Sequence, residues 1–196
     1  MADHWPPAPI RTERLVLRES EARDRPAFIE LLGSPEVGAY VGGARPPDEL
    51  ERTPEVPGRR VGVFVVELDG AMIGTVMLER RNLGPKDRVR PERGEVDLGY
   101  LFLPKAWGYG YAAEACAAAL DWFAGACPGE PIVLVTQSAN DRSMRLAEKL
   151  GFVEETRFEA FGAEQWFGVW FPGHAAQAER LADRHPGANH RGTAEG

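Results

Sequence analysis

Pro104-Lys105-Ala106-Trp107-Gly108-Tyr109-Gly110-Tyr111-Ala112 decides how this chain reads. It joins the apolar run Glu95-Val96-Asp97-Leu98-Gly99-Tyr100-Leu101-Phe102-Leu103 to an alanine-rich segment. In that segment Ala112, Ala115, Cys116, Ala119, Leu120 and Phe123 recur at helical spacing. The run predicts a strand, the segment a helix, and the glycines between them a tight turn. Such a turn at a helix N-terminus leaves backbone N–H groups without intrahelical partners, and the helix dipole adds positive charge there. Gly108 and Gly110 let the main chain approach an anion with no Cβ in the way. A phosphate-bearing ligand is the first functional expectation.

Working outward, Val61 to Leu68 and Met72 to Glu79 flank Asp69-Gly70, which predicts a hairpin. Arg14 to Arg18 reads as a first strand. Asp24, as cap, and Pro26 open a helix through about Leu32, with Phe28, Leu31 and Leu32 as its buried stripe. Pro35 to Val41 is a short second helix. Gly42 to Arg60 is a loop rich in Gly, Pro and charge, with one helical turn near Asp48 to Arg52, and Arg81 to Arg93 is a charged loop. Downstream come a strand at Ile132 to Thr136, a helix from Asn140 to Leu150 closed by Gly151, and strands at Phe152 to Phe158 and Gln165 to Phe171. The order β, α(α), β, β, β, α, β, α, β, β makes a mixed α/β domain over residues 10–172. Residues 1–9 are expected as a tail, and 173–196 as a second tail with a short helix near Ala175 to Ala182.

The 196 residues suit one domain, and 43% hydrophobic with 27% charged residues is ordinary globular composition. A net charge of −7 disfavours nucleic acid as a partner and mildly favours a cationic substrate. Met1 to Pro9 is polar and proline-rich, and no apolar run approaches a membrane span, so a cytoplasmic protein is expected. Cys116 and Cys127 are expected as reduced, structural thiols. His4, His174, His185 and His190 show no metal-ligand spacing, and no metal is expected.

Gly108-x-Gly110-x-x-Ala113 also fits a dinucleotide-binding fingerprint. No acidic residue ends the next strand, which runs into Gln137-Ser138, and no second βαβ half follows; a nicotinamide oxidoreductase is disfavoured. A Walker loop is excluded because no Gly-Lys-Ser/Thr follows the glycines.

About thirty residues beyond the turn stands Asn140-Asp141-Arg142-Ser143, opening a helix that ends in Lys149-Leu150-Gly151-Phe152. With Asp97-Leu98-Gly99-Tyr100, the glycine turn and Arg14-Leu15-x-Leu17-Arg18, this chain resembles the GNAT superfamily of acyl-CoA-dependent N-acetyltransferases over about residues 10–171. The closer resemblance is to the branch that acetylates ribosomal-protein N-termini. It implies a mixed, mostly antiparallel sheet of about seven strands with about four helices. By the same resemblance, Leu101, Phe102 and Leu103 run beside the pantetheine arm of acetyl-CoA. Gly108, Tyr109, Gly110, Tyr111 and Ala112 cradle its pyrophosphate. Lys105 stands where the family carries Arg or Gln and serves as a point charge, and Trp107 packs beneath the turn. Asn140 either hydrogen-bonds the pantetheine arm or caps its helix. The family's tyrosine acid is absent, its position being Ala147, so Ser143 is the candidate near the cofactor sulfur, with solvent as rival. Asp97, sharing a strand face with Glu95, is the candidate base or water relay.

Free thiol has a pKa of about 8.5, so CoA thiolate needs little help to leave. An alkylamine of pKa about 10.4 is uncharged in only about one molecule in 2,500 at pH 7, whereas an N-terminal amine is free in about one in ten. The amine is the half that needs a base. Direct transfer is expected, because neither cysteine falls where the strands should splay, and a backbone N–H near Leu103 is the candidate oxyanion donor. The acceptor is a protein N-terminus or a small cationic amine of aminoglycoside or polyamine type. Asp48, Glu49, Glu51 and Glu55 either attract such a cation or form a solvated loop. Trp166, Phe167, Trp170 and Phe171 are expected mostly as core, with one of them a candidate to line the acceptor cleft. A non-catalytic acyl-CoA sensor is the alternative.

Overall fold

The computed structural model of the chain describes Trp5, residues 7–80 and residues 96–173. Glu95, the 81–93 loop, all four histidines and the tail from 174 onward lie outside the described residues. Thirteen elements follow one another: β1 (Ile10–Arg11), β2 (Val16–Arg18), α1 (Arg25–Gly33), α2 (Pro35–Gly38), α3 (Pro47–Glu51), β3 (Val63–Leu68), β4 (Ala71–Arg80), β5 (Val96–Phe102), α4 (Tyr111–Ala126), β6 (Ile132–Gln137), α5 (Asp141–Leu150), β7 (Val153–Ala160) and β8 (Ala163–Trp170). The strands form one eight-stranded sheet in the order β1-β2-β3-β4-β5-β6-β8-β7. The strand beyond the expected seven is the two-residue β1, and α3, the helical turn expected near Asp48 to Arg52, brings the helices among the described residues to five.

Every neighbouring pair is antiparallel except β5 with β6. That parallel pair holds only at Val96↔Ile132 and Asp97↔Val133. Beyond it β5 stays fully paired to β4 through Phe102, and β6 to β8 through Gln137. Each strand is held on its outer edge, so a wedge-shaped slot opens between them.

Strand alternation divides the packing. Val96, Leu98, Tyr100 and Phe102 face α4 and α5, packing with Cys116, Ala119, Phe123 and Leu146. Leu101 and the following Leu103 pack on the other side, with Val65, Met72 and α1's Phe28 and Leu31. Trp5, from the expected N-terminal tail, sets its ring edge-on against Phe64 at 4.8 Å and Trp122 at 6.1 Å, so this part of 1–9 is docked on the core.

Asp24 precedes α1 as expected, but its side chain makes no cap bond. Its two carboxylate oxygens accept from Arg18 Nη1 and Nη2, each at 2.8 Å, and Oδ2 also accepts the Glu21 N–H. Arg18 Nε donates to Glu67 on β3 at 2.6 Å. The pair is buried, at 9% and 3% exposure, and ties β2, β3 and the start of α1 together. Burial pushes the Asp24 carboxyl up, but the Arg18 guanidinium and the Glu21 N–H outweigh it and hold it below the usual carboxylate range. A depressed folded pKa contributes stability that is complete above the unfolded value and lost as pH falls through the folded one. Removing one partner of a buried ion pair strands the other, so Asp24→Ala should cost on the order of 3 kcal/mol in urea unfolding. Asp24→Asn should lose less stability than wild type on acidification below about pH 4; equal losses would remove Asp24 from the acid response.

Candidate active site

Leu103 N–H donates to Ile73 O at 2.9 Å, which makes Ile73 and Leu103 a hydrogen-bonded pair at the end of the β4–β5 ladder. Such pairs alternate along an antiparallel ladder, so Gly99 and Leu101 also turn their main-chain groups toward β4. Tyr100 and Phe102 turn theirs toward the slot. Of the expected trio Leu101, Phe102 and Leu103, only Phe102 presents peptide groups to the slot, and Tyr100 joins it. Leu103's own N–H is engaged and is not a free oxyanion donor; the neighbouring slot-facing N–H is that of Phe102. The Phe102 carbonyl accepts Trp107 Nε1 at 2.8 Å, and Arg142 lies 4.3 Å over the Trp107 ring. These contacts lock the strand to the turn that follows.

In that turn Gly108 and Gly110 adopt φ of 86° and 82°, a region that side chains with a Cβ avoid. Among the described residues, nothing accepts the N–H groups of Gly108, Tyr109, Gly110, Tyr111, Ala112 and Ala113; the first bond of the helix runs from Glu114 N to Gly110 O. Beside them lies a hollow of ≈ 440 Å³, lined by Arg14, Gly110, Ala113 and Lys149 among others. Arg14 donates to Tyr109 O at 3.0 Å, lies 4.6 Å over the Tyr111 ring and is paired with Glu114 at 2.6 Å. Lys105 is directed elsewhere, to Glu30 on α1 at 3.3 Å. The cations at this hollow are therefore Arg14 and Lys149, neither of which carried a role in the sequence reading.

Asn140 caps α5, its Oδ1 accepting the Ser143 N–H at 3.2 Å, so the carbonyl end of its amide is committed to the helix. Tyr100 Oη donates to Ser143 Oγ at 2.8 Å. Burial pushes the Tyr100 hydroxyl above the ordinary tyrosine range, with the Ser143 bond pulling back, so it remains a protonated donor. The Ser143 hydroxyl thus accepts from below and keeps its own proton to donate. Tyr100 is the partner that spacing missed; the strand places it 43 residues from Ser143. Ala147, at the tyrosine position of other family members, is wholly buried against the core and offers no hydroxyl. Cys116 is also wholly buried, its thiol pushed up by desolvation, which removes it as a nucleophile.

On the opposite face of the sheet lies a cavity of ≈ 530 Å³, with Thr75, Met77 and Leu101 as its floor, Phe28, Leu31 and Leu32 as its wall, and the 45–60 segment as its rim. Leu101 belongs to the slot-lining strand, so cavity and slot adjoin. Asp97 shares this face, half-buried, directly across the ladder from Glu79 and at the last bridge before the strands part. Of the acidic residues expected to draw a cation, only Glu49 lines the cavity, alongside Arg45, Arg52 and Arg60. Trp166, Phe167 and Trp170 are buried in the core, and Phe171 is not among the cavity residues either.

A family model described as the acetyltransferase (GNAT) domain matches residues 14–153. The chain belongs to the GNAT acetyltransferases. It is 27% identical over 150 residues to the uncharacterized protein YkkB of Bacillus subtilis (strain 168), covering 71% of this chain and 82% of that one. It is 27% identical over 156 residues to the uncharacterized N-acetyltransferase p20 of Bacillus licheniformis, covering 74% and 83%. Among solved structures, a GNAT-family acetyltransferase from Bacillus anthracis superposes with a TM-score of 0.67 at 22% identity, covering 84% of this chain and 98% of that one. The aminoglycoside acetyltransferase AAC(6')-Ib with coenzyme A gives 0.67 at 15%, covering 84% and 99%, and RimL, a ribosomal L7/L12 alpha-N-protein acetyltransferase with coenzyme A, 0.63 at 14%, covering 84% and 98%. At these identities the structures support the fold, and acceptors as unlike as an aminoglycoside and a protein N-terminus share it. The GNAT assignment makes the chain an acyltransferase of the acetyl-CoA-using type. Among the described residues no helix is long and apolar enough to cross a membrane, and no His, Cys, Asp and Glu cluster suits a metal.

Gly74 sits opposite Phe102, and an added Cβ would lie 2.5 Å from Leu101 O and 2.6 Å from the Phe102 ring. Gly74→Ala should therefore push β5 into the slot, costing about 1–3 kcal/mol of stability and weakening acetyl-CoA binding in calorimetry. Unchanged affinity would show that the slot tolerates a shifted β5.

Proposed function

We propose that this enzyme transfers the acetyl group of acetyl-CoA directly to the primary amine of a protein N-terminus or a small molecule. The carrying observation is two sets of main-chain groups without partners among the described residues. The first is the slot-facing peptide groups of Tyr100 with the Phe102 N–H, and the second is the N–H groups that begin α4. Peptide-like amides of a pantetheine arm suit the first part as an added strand would, and a diphosphate suits the second, where N–H groups converge at a helix N-terminus. Lys149 adds positive charge beside the phosphates, and Arg14, paired with Glu114, braces the turn through Tyr109 O.

The slot separates two chemistries. An amine from the cavity side meets the acyl carbon near Leu101, and Asp97 on that face accepts its proton, through water across the strand length between them. The Tyr100–Ser143 pair stands on the other face, with the Ser143 hydroxyl free to donate to the departing thiolate. The Phe102 N–H is the donor nearest the developing oxyanion. The amine's proton is the costlier transfer, since thiolate leaves unaided near its pKa of about 8.5. Loss of Asp97 should then cost more than loss of Ser143.

In a thermal-shift assay acetyl-CoA should stabilise the protein and NAD(H) should not. Free CoA thiol should be released only when an amine is present; tight acetyl-CoA binding without turnover of any amine would favour a sensor instead. Asp97→Asn should lower kcat by about 10²-fold or more, whereas Ser143→Ala should lower it less. An unchanged kcat in Asp97→Asn would take the base role away from Asp97.

A further inference from the structure

We infer that the acceptor amine is a small molecule with an apolar body and an anionic oxyacid group, a carboxylate or a phosphate, rather than a polycation. The inference rests on the proposed transfer and names the substrate class of the same cavity.

Among the described residues, the charged side chains lining the cavity are Arg45, Arg52 and Arg60 against Glu49. This basic cluster stands in a chain of net charge −7, so it runs against the background rather than with it. Arg60 is held by Glu79, donating through Nε and through Nη2 at 3.1 Å, and Glu79 in turn sits on the floor strand beside Met77. Arg52 has Asp48 one turn back at 3.3 Å, with both side chains mostly exposed (75% and 64%), a geometry that contributes little. Arg45 has no carboxylate partner among the described residues. Its position is nevertheless set by the main chain: Arg45 N–H donates to Leu32 O at 2.8 Å, pinning it to the end of α1. Gly42 and Gly43, at φ 97° and 94°, let the chain fold back to that point. From that main-chain position the exposed Arg45 guanidinium lines the cavity together with Arg52, and such forks suit the two oxygens of a carboxylate or phosphate. Below the rim, Phe28, Leu31, Met77 and Leu101 offer an apolar surface that leads toward the slot. An acceptor lying with its anion at Arg45 and Arg52 and its body on that surface points its amine at Leu101 and the face of Asp97. A polyamine or aminoglycoside would instead bring cations against the arginines.

The full-length protein is assayed for CoA thiol release with matched amines: L-phenylalanine against phenethylamine, L-leucine against isopentylamine, O-phosphoethanolamine against ethanolamine, and spermidine. The anionic member of a pair should have the higher kcat/KM by about tenfold or more, and added salt should shrink that ratio because the rim is exposed. The amino-acid pairs and the phosphate pair tell a carboxylate ligand from a phosphate one. Arg45→Gln should raise KM for the anionic amine about tenfold relative to its neutral partner. Arg157→Gln, on the far edge strand β7, should leave that ratio as in wild type. Preference for the neutral amines or spermidine, or an equal effect of Arg45→Gln on both members of a pair, overturns the inference while leaving the transferase intact. Failure of acetyl-CoA to bind sinks the transferase proposal instead. Should no amine turn over, the anionic amines must still raise the melting temperature of CoA-saturated wild type, but not of Arg45→Gln, more than their neutral partners; absence of that difference also overturns the inference.

Discussion

The parting of two parallel strands after a single short run of pairing governs this molecule. Asp97↔Val133 is the last bridge between β5 and β6, and each strand stays hydrogen-bonded to its other neighbour along its length. Neither can bend to close the gap without breaking an antiparallel ladder. The slot is consequently a fixed feature, and its exposed peptide groups are hydrogen-bonding capacity that the sheet leaves open. A ligand with amide groups of its own is the natural complement, which is why the proposed occupant is a strand-like arm rather than a compact molecule.

Strand alternation then assigns chemistry to faces. Odd-numbered residues of β5 from Asp97 to Leu101 look toward α1 and the cavity, while Tyr100 looks toward α4 and meets Ser143. In the proposed transfer, the base and the proton donor to the thiolate thereby stand on opposite faces of the sheet. The two faces also differ electrostatically. On one, a protonated, desolvated tyrosine steadies a serine hydroxyl; on the other, arginines rim an apolar hollow. Arg18 and Asp24 are far from both in role. They consume their charges on each other, and with Glu67 they hold the β2–β3 edge against the start of α1, the helix that walls the cavity.

Much of this was legible in the residues. The hairpin at Asp69-Gly70, the strand and helix on either side of Gly108 and Gly110, and the helix from Asn140 to Gly151 all appear within three residues of their expected ends. These are signals of local geometry: period, turn chemistry and caps. The short strand β1 carries too few residues for a period to register, whereas the helical turn expected near Asp48 to Arg52 appears as α3. Asp24 illustrates a different limit. Its cap signature was real, but a guanidinium six residues upstream competed for the same oxygens and won.

The candidate site divides along the same line. Glycines before an amphipathic helix announce an anion site on their own, because the unpaired N–H groups belong to the backbone itself. Lys105, placed next to them in sequence, turns to Glu30 instead, and the turn is braced at Tyr109 O by Arg14, 95 residues away. Tyr100 meeting Ser143, Leu103 surrendering its N–H to Ile73, and Arg45 held at the rim by Leu32 are all products of register and long-range packing. Short-range order follows from dihedral preferences and hydrophobic period, which any one segment carries within itself. Which side chains share a cavity follows from how the sheet pairs and where it parts, and that exists only once the whole chain has folded.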